Sequence, residues 1–333
     1  MKEIKSKYKK ESVFYFTHAR TSLKYGLISL DFKINDSILI PDYICDVVTD
    51  ILKALKLNII FYGTDDSFQP DWNYLFSLND IKIKGILMVH YFGFPQNINK
   101  FQELTTKKSW FLIEDNAHGH GGYYNNELLG TFGDIGISSP RKSLRLNSGG
   151  ILYINKKIEL KINNNIESSS YSILTYILYF LNRNNLIKQI LKKLFTSRVK
   201  YEIIEQSREK IDDCFIDKFS RNKIETDLDK INSLKRKNFR SWSQFSEINK
   251  LNPIFKNIND DISPLCFPVL VKNKKEAIFW FKWGWSNYYD IYSWPNLPFE
   301  LIKHKKLVSR FERLVCFSTH SRCRHLKNKV VTP

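Results

Sequence analysis

Four short segments put reactive side chains at the ends of apolar runs. Phe111-Leu112-Ile113 leads into Glu114-Asp115-Asn116-Ala117-His118. A carboxylate delivered there by a buried strand can keep the nitrogen of a pyridine-type cofactor protonated, making the ring an electron sink, or it can cap a turn. Gly130-Thr131-Phe132-Gly133-Asp134 leads through Ile135-Gly136-Ile137 to Ser138-Ser139-Pro140-Arg141-Lys142, seven and eight residues before Gly149-Gly150. A lysine fixed behind a proline-stiffened turn can form an imine with a carbonyl and move a proton. Spacing has to carry that reading, because lysines are numerous in this chain. Thr17-His18-Ala19-Arg20-Thr21-Ser22-Leu23 opens an amphipathic helical pattern, which suits a phosphate at a helix N-terminus or an ordinary N-cap. Met88-Val89-His90-Tyr91 runs into Phe92-Gly93-Phe94-Pro95, a strand entering a Gly/Pro loop with aromatics.

The elements that must carry these side chains alternate. Ser37 to Ile40 reads as a strand, followed by a helix with Ile44, Val47, Val48, Ile51 and Leu55 on one face. Further strands are predicted over Asn58–Tyr62, Gly85–Tyr91, Trp110–Ile113, Asp134–Ser138 and Gly150–Ile154, with a helix near Ile98–Leu104. This order predicts an α/β fold, a mainly parallel sheet flanked by helices. Ligands of such sheets sit at the carboxyl ends of strands, where His90, Asp115 and Ser138 fall. From about Lys156 the texture turns polar and helical. Ile173–Phe195, apolar and then basic, reads as a packed helix with a solvated face, a membrane-surface helix or a wall of the substrate site. A strand over Leu265–Val271 and a helix to about Lys282 indicate a smaller C-terminal α+β domain.

The 333 residues suit one large domain plus a smaller one, and 43% hydrophobic residues are enough for a large core. The formal charge of +18 favours anionic partners. Lysine, asparagine and isoleucine are abundant everywhere, however, and no zinc-finger or RNA-recognition signature accompanies the charge, so no nucleic-acid partner is expected. Cys45, Cys214, Cys266, Cys316 and Cys323 are odd in number and lack a CxxC pair, which reads as reduced thiols in the cytoplasm. No metal site is expected. The first ten residues lack the apolar stretch of a signal peptide. The most apolar segment, Tyr171–Leu181, is eleven residues long, where a bilayer-spanning helix needs roughly 20.

Taken in order, the segments resemble the DegT/DnrJ/StrS family of sugar aminotransferases, which depend on pyridoxal 5'-phosphate (PLP) and have the aspartate aminotransferase fold. The likeness rests on Ala19-Arg20-Thr21, Ile40-Pro41-Asp42-Tyr43, Val89 to Pro95, Glu114 to His118, Gly130 to Asp134, and Lys142 with Gly149-Gly150. Arg236-Lys237-Asn238-Phe239, Phe267 to Val271, Tyr292 to Pro295 and Ser318-Thr319-His320 extend it. The resemblance implies that Lys142 holds PLP as a Schiff base and serves as acid and base, that Asp115 pairs with the pyridine nitrogen, that His118 lies near the ring, and that Arg20 and Thr21 hold the phosphate. It implies glutamate as amino donor, a nucleotide-linked keto-sugar as acceptor, a homodimer, and work in surface-polysaccharide or related amino-sugar synthesis. Tyr91, Trp294 and His320 are the substrate-side candidates. The expected division is a basic N-terminal extension over 1–14, a large PLP-binding domain over 15–215 that is helical and divergent from 156, and a small α+β domain over 216–333.

Three positions depart from the family pattern. Ile137 stands where a phosphate-binding serine is common, leaving Ser138 and Ser139 as the candidates. Cys45 stands where many members stack an aromatic on the ring, leaving Tyr43 or His118 to cover a ring face beside it. Ala19 replaces a glycine. Two other readings are a PLP-dependent sugar dehydratase and a non-catalytic homologue with a binding or regulatory role. Dehydratase relatives carry histidine in place of the lysine, so Lys142 stands against the first; the intact Asp115/Lys142 pair stands against the second.

Overall fold

The computed structural model describes residues 11–79, 82–162, 166–169, 177, 213–226, 228–320, 326 and 329–331. In chain order the elements are β1 (Glu11–Phe16), α1 (Ala19–Ser29), β2 (Ser37–Pro41), α2 (Asp46–Ala54), β3 (Asn58–Tyr62), α3 (Trp72–Ser77), β4 (Ile83–Val89), α4 (Ile98–Lys108), β5 (Phe111–Asn116), β6 (Tyr123–Tyr124), β7 (Glu127–Leu128), β8 (Ile135–Ser138), α5 (Pro140–Leu144), β9 (Gly150–Asn155), β10 (Glu167–Ser168), β11 (Cys214–Phe215), α6 (Lys218–Thr226), α7 (Leu228–Ile248), β12 (Cys266–Leu270), α8 (Lys274–Ser286), β13 (Ile291–Tyr292), α9 (Lys305–Arg313) and β14 (Leu314–Ser318). The segment 173–195, residue 177 apart, lies outside the described residues. Among the described residues no helix is long and apolar enough to cross a membrane.

The large sheet runs β10-β11-β1-β9-β8-β5-β4-β2-β3. Strands β3, β2, β4, β5 and β8 are mutually parallel, while β9 and β1 add antiparallel partners. Strand β1 starts at Glu11, inside the stretch read as a basic extension; Ser12 to Phe16 pair with Ile154 to Gly150. Side chains alternate along each strand. One face sends Ile38, Leu87, Ile113, Ile135 and Ile137 into a core shared with Leu23 and Leu27 of α1. The other sends Leu39, Ile86, Met88 and Leu112 against Ile98, Phe101 and Leu104 of α4. Burial on both faces explains the near-continuous apolar runs of these strands.

A second sheet, three-stranded and antiparallel, runs β12-β14-β13 and packs on α7 and α8 through Trp242, Phe245, Trp280 and Phe317. Arg310 of α9, fully buried, links this C-terminal part to the loop after β3. The guanidinium donates to the Thr64 hydroxyl at 2.9 Å and the Thr64 carbonyl at 2.7 Å, and lies over the rings of Tyr43 and Phe68. A small hairpin, β6 and β7, turns at Asn125-Asn126, both with positive φ (49° and 63°), the left-handed pair that a two-residue hairpin turn needs.

Candidate active site

Val89, Asp115 and Ile137 stand in register at the carboxyl edge of the parallel strands, with Lys142 just beyond in α5. Proline at the start of α5 fixes φ where no N–H is needed, and Arg145 in the left-handed region (φ 57°) ends it. Burial lowers the pKa of the Lys142 amine; Cys45 and Asp115, both close enough to act on it, push the other way. Asp115 is 6% exposed. Burial raises its pKa, opposed by the Ala117 N–H it accepts at 2.8 Å and by the charge of Lys142. Among the described residues no cation lies within salt-bridge distance of Asp115. Cys45, at the N-cap of α2, is a neutral thiol pushed up to about 12 by burial and by Asp46, to which it donates at 3.3 Å.

The His118 Nδ1 accepts the Phe92 N–H at 3.1 Å, so the ring proton sits on Nε2. Burial holds this imidazole well below its usual pKa and therefore neutral. Its ring stacks on Phe92 and meets Trp294 edge-on at 4.6 Å.

The glycine pair after the lysine sets the start of α1. Gly149 (φ 147°) donates to the Thr17 carbonyl at 2.6 Å. A β-carbon on Gly150 would lie 2.1 Å from the carbonyl carbon of His18. Only glycine lets β9 pass this close, and the approach brings the first-turn N–H groups of α1, with Arg20 and buried Thr21, beside the strand ends. Gly150→Ala is expected to lower unfolding free energy by about 1–3 kcal/mol, measured by urea titration.

The two serine candidates separate by face. Ser138 pairs in register with Asn116, not Asp115, and its hydroxyl lies 2.9 Å from His120 Nδ1. It therefore belongs to the sheet face away from Asp115, whereas Ile137 shares the face of Asp115 and packs in the core there. Ser139 is the N-cap position of α5. The Tyr43 hydroxyl donates to the Trp294 carbonyl, and the Tyr91 hydroxyl to the Tyr43 carbonyl, each at 2.7 Å, so both phenols are used in packing. A cavity of about 330 Å³ opens at Lys142, lined also by Arg141, Arg145, Asp290, Tyr292, Trp294 and His320; that volume is typical of small-molecule sites. Trp294 and His320 thus reach the cavity and Tyr91 does not. The His320 Nε2 lies 3.0 Å from the Lys142 carbonyl, tying the end of β14 to α5.

Two residues have roles that sequence reasoning missed. Glu114, fully buried on the far face, accepts from His90 Nε2 (2.8 Å) and from the N–H groups of Gly130 (2.6 Å), Phe132 (2.7 Å) and Gly133 (3.2 Å). The Gln96 N–H donates to His90 Nδ1, which fixes the tautomer. Lys235 of α7, 1% exposed, bonds to the hydroxyls of Ser143 (3.2 Å) and Ser263 (3.0 Å), bracing α5 one residue past Lys142. The sequence offered one signal for Glu114, an acid beside an acid at a strand end, and none for Lys235.

Burial pushes the Lys235 ammonium down to about 7. The unfolded value is near 10.4, so between these the unfolded chain binds the extra proton and stability rises with pH. From pH 7 to 9 the wild type is expected to gain roughly 2 kcal/mol on Lys235→Met, read from denaturant midpoints at each pH.

Residues 2–172 match the DegT/DnrJ/EryC1/StrS aminotransferase family. Over 149 residues the chain is 28% identical to GDP-perosamine synthase of Escherichia coli O157:H7, covering 42% of this chain and 40% of that one. Over 148 residues it is 26% identical to UDP-N-acetyl-3-dehydro-alpha-D-glucosamine 3-aminotransferase of Acidithiobacillus ferrooxidans, covering 42% and 39%. The match thus spans about two fifths of the length of these relatives. Helicobacter pylori PseC, an aminotransferase involved in the biosynthesis of pseudoaminic acid, superposes with a TM-score of 0.68 at 15% identity, over 98% of this chain and 87% of that one. The apo form of Spr1654 from Streptococcus pneumoniae gives 0.70 at 14% identity, over 98% and 86%. At such identity the likeness shows the fold, and it agrees with the architecture expected from the strand order. With half of the sequence matched and the acid and lysine brought together at one sheet edge, the chain belongs to the DegT/DnrJ/EryC1/StrS aminotransferase family.

Proposed function

We propose that the protein is a PLP-dependent aminotransferase that passes an amino group from glutamate to a nucleotide-linked keto-sugar, acting as a cytoplasmic homodimer in surface-polysaccharide or related amino-sugar synthesis. The observation that carries this reading is the convergence of a half-buried amine, Lys142, whose charged form is disfavoured by desolvation, and a buried carboxylate, Asp115, at the carboxyl edge of a parallel sheet. The residues present fit the cofactor. Asp115 has one backbone donor and lacks a cationic partner among the described residues, a deficit that a protonated ring nitrogen satisfies. The start of α1, with Arg20 and Thr21, suits a phosphate, and Ser139 is the serine nearer that role. Neutral His118 offers an Nε2–H donor.

Bound there, PLP supplies an electron sink for charge developing on the substrate carbon. The chain supplies the proton handling. Burial favours the neutral form of Lys142 Nζ, and a neutral amine takes a proton from carbon and returns it. His320, holding the Lys142 carbonyl, keeps α5 in place while it does so. Trp294 supplies an aromatic wall beside Lys142, and Cys45 lies close enough to the amine to act on its charge. The Escherichia coli and Acidithiobacillus relatives act, by their names, on GDP- and UDP-linked sugars, which supports the acceptor class. Purified protein supplemented with PLP is expected to be yellow. Glutamate should bleach that colour and release one equivalent of 2-oxoglutarate per chain. Protein with no visible band after supplementation would sink the reading; a band indifferent to glutamate would reject the aminotransferase assignment.

A further inference from the structure

We propose that Lys235 is a positioning residue for Lys142: its buried amine clamps α5 to the segment 263–265, so that two walls of the cavity are held as one. This inference rests on the aminotransferase reading and deepens it by naming what keeps the reactive lysine in place. Lys142 and Leu265 both line the cavity. Lys235 lies behind them on α7, 1% exposed. Its Nζ is 3.2 Å from the hydroxyl of Ser143, the residue after Lys142, and 3.0 Å from that of Ser263. The Ser263 end is itself fixed. Its hydroxyl lies 2.8 Å from both the His120 carbonyl and Asn232 Oδ1, and Leu265 donates its N–H to the Phe92 carbonyl at 2.8 Å. The α5 end needs such a hold, because a helix of five residues does not keep its shape and place unaided. His320 grips α5 at the Lys142 carbonyl from the cavity side, and Lys235 grips it from behind.

Counting donors and acceptors shows in which form the clamp closes. Among the described residues the Ser143 hydroxyl has Lys235 as its one side-chain hydrogen-bond partner. A neutral amine has two N–H groups and a lone pair. It donates to Ser263 and accepts the Ser143 O–H, so both hydroxyls are met. An ammonium has three N–H groups and no lone pair. It strands the Ser143 proton, and its own third N–H finds no carboxylate. The charged and titratable groups around it are Arg236 of α7, Cys266 of β12, His118 and His120 after β5, and Lys142 beside Ser143 on α5; none is a carboxylate. The clamp therefore holds while the amine is neutral and slackens as pH falls through about 7.

The test reads α5 without cofactor, by hydrogen–deuterium exchange of the peptide spanning 140–149, corrected for the intrinsic effect of pH, with the α4 peptide as reference. In wild type the 140–149 peptide is expected to exchange about fivefold faster at pH 6 than at pH 8, while α4 stays within about twofold. Lys235→Met and Ser143→Ala are expected to exchange fast at both pH values, and the double variant no faster than either single one. In PLP-supplemented protein the same variants are expected to slow the glutamate half-reaction at saturation about tenfold, with half-saturation within about twofold, and to lose the wild-type inflection near pH 7. Should Lys235→Met fail to fold, Ser143→Ala and Ser263→Ala carry the comparison. Exchange of 140–149 that ignores pH and substitution would overturn the clamp, and so would a rise shared equally by α4, which marks a loss of overall stability alone. If α5 responds as expected but no PLP is taken up, the clamp stands and the aminotransferase reading falls; if glutamate bleaches the PLP colour and α5 does not respond, the reverse holds.

Discussion

Borohydride treatment of the PLP-loaded protein is expected to fix the cofactor on Lys142, and Lys142→Ala is expected to retain no covalent label and to lose amino transfer by about 10²–10⁴-fold. Among the described residues two lysines with burial-lowered pKa, Lys142 and Lys235, lie near the site, which makes the outcome informative. Lys235 is the more deeply buried, and burial pushes its pKa down to about 7, so ease of deprotonation alone would make it a credible target. Position favours Lys142. Its charge acts on Asp115, whereas Lys235 bonds to Ser143 and Ser263 behind α5. Mapping the labelled peptide separates the two; a label on Lys235 would overturn the assignment of Lys142.

Glu114→Ala is expected to remove about 3–5 kcal/mol of stability, a large share of what a folded domain of ordinary stability has. Its carboxylate gathers four donors: the His90 ring and three backbone N–H groups of the loop that feeds β8. Truncation leaves these donors unpaired in a site sealed from solvent, and each buried unmet donor costs about 1–3 kcal/mol before relaxation. Glu114→Gln keeps one acceptor oxygen but turns an amide N–H toward other donors, so an intermediate loss is expected. Urea titration of the three proteins gives the comparison, and a loss under about 1 kcal/mol for Glu114→Ala, the low end for a single unmet donor, would show that the loop is held some other way.

Much of this site is legible in the sequence, for a simple reason. Parallel strands with both faces buried must read as apolar runs, and the residues just after each run fall at one edge of the sheet. Asp115 and the residues leading to Lys142 can therefore be placed there from the sequence. The choice between Ser138 and Ser139 cannot, because it depends on parity. A shift of one residue along a strand changes face, and the pairing of Asp115 with Ile137 is a long-range fact. Tyr43 and Tyr91 look available for a ligand because aromatic residues at strand ends often are; the Tyr43 hydroxyl is instead taken by the Trp294 carbonyl, and the Tyr91 hydroxyl by the carbonyl of Tyr43. Lys235 sits in a run of basic residues on α7 and is chemically indistinguishable in sequence from its exposed neighbours.

The stretch from Asp134 to Gly149 is indexed at both ends. The Asp134 carboxylate accepts the Leu112 N–H, and Gly149 donates to Thr17. Its length is therefore inherited more strictly than its letters. Exchanges such as isoleucine at 137 can be absorbed, but a single inserted codon between those anchors would turn β8 over or carry the lysine away from its acid. Among the described residues no side-chain hydrogen bond or ion pair anchors the Asn125-Asn126 hairpin tip. Divergence in this lineage should appear as insertions there and as substitutions here, and a library that varies loop length should survive at the first place and die at the second.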